Sequence, residues 1–405
     1  MRRTSKSLLV MWTFLLLGVV GWCDRLVAEE QCGVCHPESR VAFGESRHAQ
    51  EGVSCTDCHR GDGTTLEVEA AHRQGFRSLT DRQASPAMCA ECHSDIERMR
   101  PYNLPVDQYA VYQISQHGQA VAAGDVTAAI CTDCHGIHDI RRVSNPASSA
   151  YSRNIPSTCA RCHADPSLME PHGLTASVVA DYESGIHGRS LLEERNLAAP
   201  NCTTCHGVHG ATPPGIGDVD KICGACHDQT RQAFLEGPHR EAMLAAGLPE
   251  CASCHSNHAI ERFHFEDIDG LCGECHGAES EQATLGTKIH TLVHSTAERI
   301  EEAASLVQRA ERAALRIEDY EARLEEARTY LTEALPLVHA VTVEPVEQVT
   351  RRAHAIADEV QHEIHGELDR TEEHLGLALF WFYVLMTLVI LVLFKRRLRA
   401  AREAS

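Results

Sequence analysis

Eighteen of the nineteen cysteines stand in the pattern C-x-x-C-H. The copies are Cys32-Cys35-His36, Cys55-Cys58-His59, Cys89-Cys92-His93, Cys131-Cys134-His135, Cys159-Cys162-His163, Cys202-Cys205-His206, Cys223-Cys226-His227, Cys251-Cys254-His255 and Cys272-Cys275-His276. Cys23 alone lies outside. Two thiols at this spacing add across the two vinyl groups of one haem, and the adjacent histidine reaches the iron as proximal ligand. A zinc ribbon or a dithiol redox pair has no use for a histidine fixed there in every copy. The spacing predicts nine c-type haems and leaves no cysteine pair of the mature chain for a disulfide.

A haem iron takes a second axial ligand, and an internal repeat offers one for each motif. Two spellings alternate strictly. One reads CTDCH, CTTCH or CASCH, at Cys55, Cys131, Cys202 and Cys251. The other begins at Cys32, Cys89, Cys159, Cys223 and Cys272. Ahead of each first-type motif runs aromatic-x-x-[Ser/Gly]-x-His, ending at His48, His117, His187 and His239. A weaker version, with Leu285 in the aromatic place, ends at His290. His138, His209 and His258 follow three of the first-type motifs by three residues. The Cys55 motif has Asp62 there, and His72 is the nearest substitute. These nine histidines are the expected distal ligands. His172, His264 and His294 are spares, expected at the surface or bonded to a propionate. Met88, Met99, Met169 and Met243 are not expected as ligands, since none repeats with the motif. All-histidine ligation implies low potentials, because axial methionine is what raises them.

The paired motifs resemble multihaem cytochromes c of the doubled-CxxCH type, over residues 32–276. That group includes the octahaem hydroxylamine oxidoreductases and the tetrathionate reductases, and the pentahaem nitrite reductases are similar to it. The resemblance implies periplasmic or extracellular redox work and does not choose between a wire and an enzyme. An enzyme needs one iron with an open distal position, and the Cys32 haem, ahead of the first repeat, is the best candidate. Against it stand nine suitable histidines for nine irons and the absence of a CxxCK motif. The chain therefore reads first as an electron carrier. The alternative is a reductase or oxidoreductase of nitrite, hydroxylamine or tetrathionate.

The remaining sequence must place these sites. Of 405 residues only 5% are aromatic, so the haems are expected to supply the core that side chains lack. The formal charge is −20. Residues 1–28 carry +3 and residues 395–405 carry +4, so the stretch between carries about −27, which excludes a nucleic-acid partner. Arg2, Arg3 and Lys6 before the apolar run Leu8–Trp22 read as a signal peptide over 1–28. Leu375–Phe394 is twenty residues without a charge, long enough to span a bilayer. The basic tail 395–405 after it predicts a cytoplasmic C-terminus and a haem domain, 29–277, on the periplasmic side of a bacterial inner membrane.

From 278 to 374 apolar residues recur three and four apart, first from Val293 to Ile317 and on through Leu324 to Val338, then from Val346 to Leu368. This predicts a helical hairpin or stalk, whose first arm of about 50 residues would measure roughly 75 Å. The hairpin also suggests a homo-oligomer surface. His354, His362, His365 and His374 read as solvated helix positions, with a quinone or haem b site at His374 the rarer reading. The expected fold is mainly α with much irregular structure: a haem-packed domain, a helical hairpin and one transmembrane helix. The expected partners are redox proteins or a quinol-oxidising membrane subunit.

Overall fold

A computed structural model of the chain describes residues 30–403 except 74, 79 and 262–267. The signal segment, Cys23 and His264 lie outside the described residues. Among the described residues all regular structure is helical. Among the described residues before 277 no helix exceeds nine residues. The motifs themselves explain why. Three of the four first-type motifs form five-residue helices such as Cys131–His135, begun by a carboxylate or hydroxyl at the third helical position, and the fourth forms the four-residue Ala252–His255. Asp133 accepts from the Ile130 amide at 2.7 Å, and Asp57 accepts from the Ser54 amide at 2.8 Å. The same helices stop at once, because the next residue turns left-handed: Arg60, Gly136, Gly207 and Ser256 have φ between 58° and 86°. Glycine makes that turn at little cost in two of the four copies. Second-type motifs at Cys89 and Cys159 instead close nine-residue helices that open with Pro86 and Pro156, where proline's fixed φ suits a first turn.

The chain divides into two compact units. One runs to Pro214 and includes His258–Ile260; the other comprises Gly215–Asn257 and the chain from Glu261 onward. The division does not follow the change of composition near 278. The last three motifs group with the C-terminal helices: Asp228–Glu236 packs on the second of them and on the 3-10 turn Val338–Ala340, and Ile268–His276 packs on the first.

Those C-terminal helices are three, Glu281–Arg312, Glu318–Leu337 and Val343–Glu403. The arm expected as one long helix folds back at 313–317. Ala314 sits at φ 59°, its N–H bonds Glu311 O at 2.9 Å, and Leu315 N–H reaches Ala310 O at 3.0 Å. This is a Schellman stop with alanine where glycine is usual, so no glycine announces it. The first and third helices run the same way and the second runs between them in reverse. Ile289 and Val293 meet Val343 and Val346 at one end. Ile300 and Val307 meet Leu324, Ala357, Val360 and Ile364 further along. The apolar seam that suggested a dimer surface is thus buried within one chain. Arg323 reaches Glu359 at 3.1 Å and Glu363 at 2.8 Å, but such surface pairs contribute about 0.2–1 kcal/mol each. The buried stripe dominates. Ile364 is 0% exposed. Ile364→Ala is expected to cost about 2–5 kcal/mol, read as a lowered thermal midpoint of the bundle.

The third helix is continuous for 61 residues and so about 92 Å long. It is long and apolar enough to cross a membrane, and its most apolar stretch is 0% buried, with mean hydropathy 2.7. His362, His365 and His374 are exposed on it and His354 is half-buried.

Candidate haem sites

One structural module recurs. The residue in the Ser/Gly place of the signature is extended, with φ near −75° and ψ near 160° at Ser46, Ser115 and Gly185. It starts a short helix that carries the histidine two residues on. Ser46 and Ser115 accept amides from the first turn, each at 3.0 Å. The aromatic member ties this helix down: Tyr112 donates to Ala129 O at 2.9 Å and Tyr182 to Pro200 O at 2.8 Å, just ahead of the next motif. The first residue of the helix then donates its N–H to the carbonyl two residues beyond a loop histidine. The pairs are Arg47 with Ile140, Gln116 with Ala211, and Ile186 with Ile260, at 2.8, 3.2 and 2.6 Å. Each of these three signature helices is thus clamped to the loop that follows a later first-type motif.

The clamps bring histidines face to face. His93 stands opposite His48, His163 opposite His117, and His276 opposite His239, each with ring centres 6.0 Å apart. His59 faces His138 at 6.2 Å, His135 faces His209 at 6.1 Å, and His206 faces His258 at 6.0 Å. His36 faces His72 at 6.3 Å. His255 faces His339 at 6.0 Å, a residue outside every sequence pattern. His187 lies on Ile186–Leu192, in the place that His117 takes on Gln116–Ala122, and His227 caps Asp228–Glu236. His290 stacks on His294 at 5.4 Å, one turn along the first bundle helix, and its Nε2 is buried. His339, absent from the expected set, faces His255, and His290 keeps its place as a candidate distal ligand.

These separations fit a haem iron. A metal held about 2 Å from each of two opposed imidazole nitrogens, with ring centres about 1.1 Å further back, places the centres about 6 Å apart. The rings are also in the right protonation state. Burial is the main cause that lowers the pKa of His48, His93, His117, His135, His163, His255 and His339, so each is the neutral imidazole a metal takes. Backbone carbonyls fix several rings by their Nδ1–H: His59 donates to Arg77 O at 3.1 Å, His72 to Val68 O at 2.7 Å and His339 to Pro336 O at 3.1 Å. That leaves Nε2 for the iron. No disulfide joins the described cysteines. Buried apolar side chains between residues 30 and 276 number only eight among those described, which leaves the short helices in need of another apolar body.

The thiols follow chain order. Burial and the neighbouring Glu30 push the Cys55 thiol up to about 12, with Cys32 beside it. A hydrogen bond to Cys131 raises Cys89, one to Cys202 raises Cys159, and one to Cys223 raises Cys251. Burial raises Cys58, Cys134 and Cys254, with Cys92, Cys162 and Cys275 close to them in turn. Within each unit, motifs adjacent in sequence are therefore adjacent in space. Glu30 was not visible as a site residue; its carboxylate accepts the Cys55 and Thr56 amides at 2.7 and 3.2 Å and caps that motif.

The methionines need one correction. Met99 and Met169 do repeat, each six residues after a motif histidine, and both are buried, at 8% and 7% exposure. They belong to matching four-residue helices capped by Asp95 and Asp165. Of the spare histidines, His172 pairs with Asp125 at 3.3 Å and His294 with Glu298 at 3.3 Å, both at the surface.

The Cytochrome c3 family matches residues 47–164, and a doubled CXXCH motif matches residues 195–232. Together they support a multihaem c-type cytochrome. The two matches take in the six motifs from Cys55 to Cys223. The cytochrome's motifs at Cys32, Cys251 and Cys272 lie beyond them. No curated protein and no solved structure matches the chain.

Proposed function

We propose that this is a nonahaem cytochrome c that carries electrons at a membrane. It would be exported by residues 1–28, hold its haems in 29–277, stand on a helical stalk over 278–374 and be anchored by 375–394, with 395–405 in the cytoplasm. Electrons would pass between the quinol pool, or a membrane subunit that oxidises quinol, and periplasmic acceptors. Bound haem supplies a one-electron ferric/ferrous couple at each site. The chain does the rest: eighteen cysteines hold the porphyrins, nine motif histidines take the proximal positions, and distal histidines fill the others. His48, His72, His117, His138, His209, His239 and His258 are proposed as distal ligands on the facing pairs above. His187 joins them on its place in the repeat.

One observation carries the reading: in eight of the nine motifs a second histidine stands opposite the first at 6.0–6.3 Å. An iron held from both sides exchanges electrons but has no position for a substrate. The reductase alternative rests on the Cys32 haem. His72 faces His36, yet it is exposed and ends a four-residue helix, so it is the distal histidine held least.

The test uses protein matured in a host able to attach c-type haem. Mass spectrometry is expected to find nine haems, and seven or fewer in fully matured protein would defeat the motif count. Electron paramagnetic resonance is expected to show low-spin iron throughout, and the reduced protein should bind almost no carbon monoxide. Stoichiometric carbon monoxide binding, with turnover of nitrite or hydroxylamine, would shift the function to the enzyme.

A further inference from the structure

The repeat runs out of loops before it runs out of motifs. Each facing pair at a first-type motif draws its distal histidine from the loop after the next first-type motif: His59 takes His138, His135 takes His209, and His206 takes His258. The Cys251 motif is the last of its type, so no later loop exists for His255. The residue that faces it, His339, comes instead from the turn between the second and third bundle helices.

That turn sits in the framework as a motif loop does. At Gly185, a Cβ would meet His258 O at 3.0 Å and Ile260 O at 3.1 Å, because the signature backbone lies directly on the loop that carries His258. At Gly237, the matching position of the next signature, a Cβ would meet His339 O at 2.9 Å and Ala340 O at 3.1 Å. The contact is the same, with Val338–Ala340 in place of the motif loop. Both glycines are extended, at φ −71°, ψ 164° and φ −85°, ψ 170°, so the space, not the torsion, excludes a side chain. The ring of His339 is aimed as well as placed. Its Nδ1–H is tied to Pro336 O at 3.1 Å, its plane lies 32° from that of His255, and Asp228–Glu236 packs on the turn that carries it.

We propose that the C-terminal bundle completes the last repeat by supplying His339 as the distal ligand of the haem at Cys251, Cys254 and His255. The inference rests on the reading that the motifs carry haem. Its consequence is structural: one iron joins the motif segment to the turn of a bundle that is otherwise held by apolar packing.

The test is made on the full-length, haem-loaded protein. His339→Ala and His339→Gly are expected to keep nine covalent haems while one iron becomes high-spin. Carbon monoxide binding should rise from almost none to one per chain, and added imidazole should return the glycine variant to low spin. His339→Met should stay six-coordinate, with one haem shifted to higher potential, since axial methionine raises it. That variant decides the matter if the smaller side chains unfold the turn. His362→Ala, on the exposed face of the third helix, is the control and should change nothing. Nine haems with unaltered low-spin spectra in all three His339 variants would overturn this assignment alone. Fewer than nine haems in the parent protein would overturn the reading on which it rests.

Discussion

Replacing Cys131 and Cys134 together by alanine is expected to leave a chain lighter by one haem and less stable by about 4 kcal/mol or more, in the range of the largest single-site losses. The site lies in the middle of the first unit, between Cys89 and Cys159 in thiol order. The motif helix is gripped on all sides. Arg82 pairs with Asp133 at 2.5 Å and donates to Ala128 O at 2.9 Å. Tyr112 donates to Ala129 O at 2.9 Å, and Ser149 to Cys134 O at 2.5 Å. These bonds position the helix but bury little apolar surface. With so few buried apolar side chains in this region, haem is expected to be the main body they pack against. Thermal unfolding and limited proteolysis should show the first unit destabilised and the bundle, which has its own apolar core, little changed. Loss of the haem with an unshifted unfolding midpoint would refute the idea that haem is core.

Removing residues 375–405 is expected to convert a membrane-bound protein into one recovered almost wholly in the soluble periplasmic fraction with its haems. A transmembrane helix inserts in effect irreversibly, whereas nothing in the exposed faces of the bundle offers a comparable apolar stretch. A reporter fused after Ser405 should lie in the cytoplasm, on the side favoured by Lys395, Arg396, Arg397 and Arg399. Retention of the truncated form on membranes after signal cleavage would show a second attachment and refute the single anchor.

How much of this could be read from the sequence depended on whether the determining signal was local. The C-x-x-C-H motifs are set by chemistry within five residues, so the pattern is legible from the sequence alone. The signature around His48, His117 and His239 is legible because an aromatic residue, a helix-starting Ser or Gly and a histidine fall within one short segment. The partners of these histidines are not, since pairing is set by clamps such as Gln116 to Ala211 that span many residues. His339 lies 84 positions from His255 and carries no repeat around it, so no local signal pointed to it. The turn at Ala314 was hidden for a different reason. The apolar spacing runs straight through it, from Ala310 to Ile317, and the left-handed residue is an alanine. The unit boundary near 214 was hidden because it is drawn by packing on the bundle, whereas composition changes only after the last motif.

The third bundle helix begins at Val343, three residues after the turn that holds His339, and reaches Leu375 without interruption. Those 32 residues make a pillar of about 48 Å. With Leu375–Phe394 in the bilayer, even a lean of about 40°, the upper end for membrane helices, leaves a clearance of about 37 Å. The headgroup layer takes up only about 6 Å of it. On the proposed ligation, a lipid-soluble carrier confined to the bilayer would not reach an iron held between His255 and His339 across that gap. Electron exchange at this site would, on the same reading, fall to redox proteins tall enough to stand beside the pillar, or small enough to diffuse above the membrane.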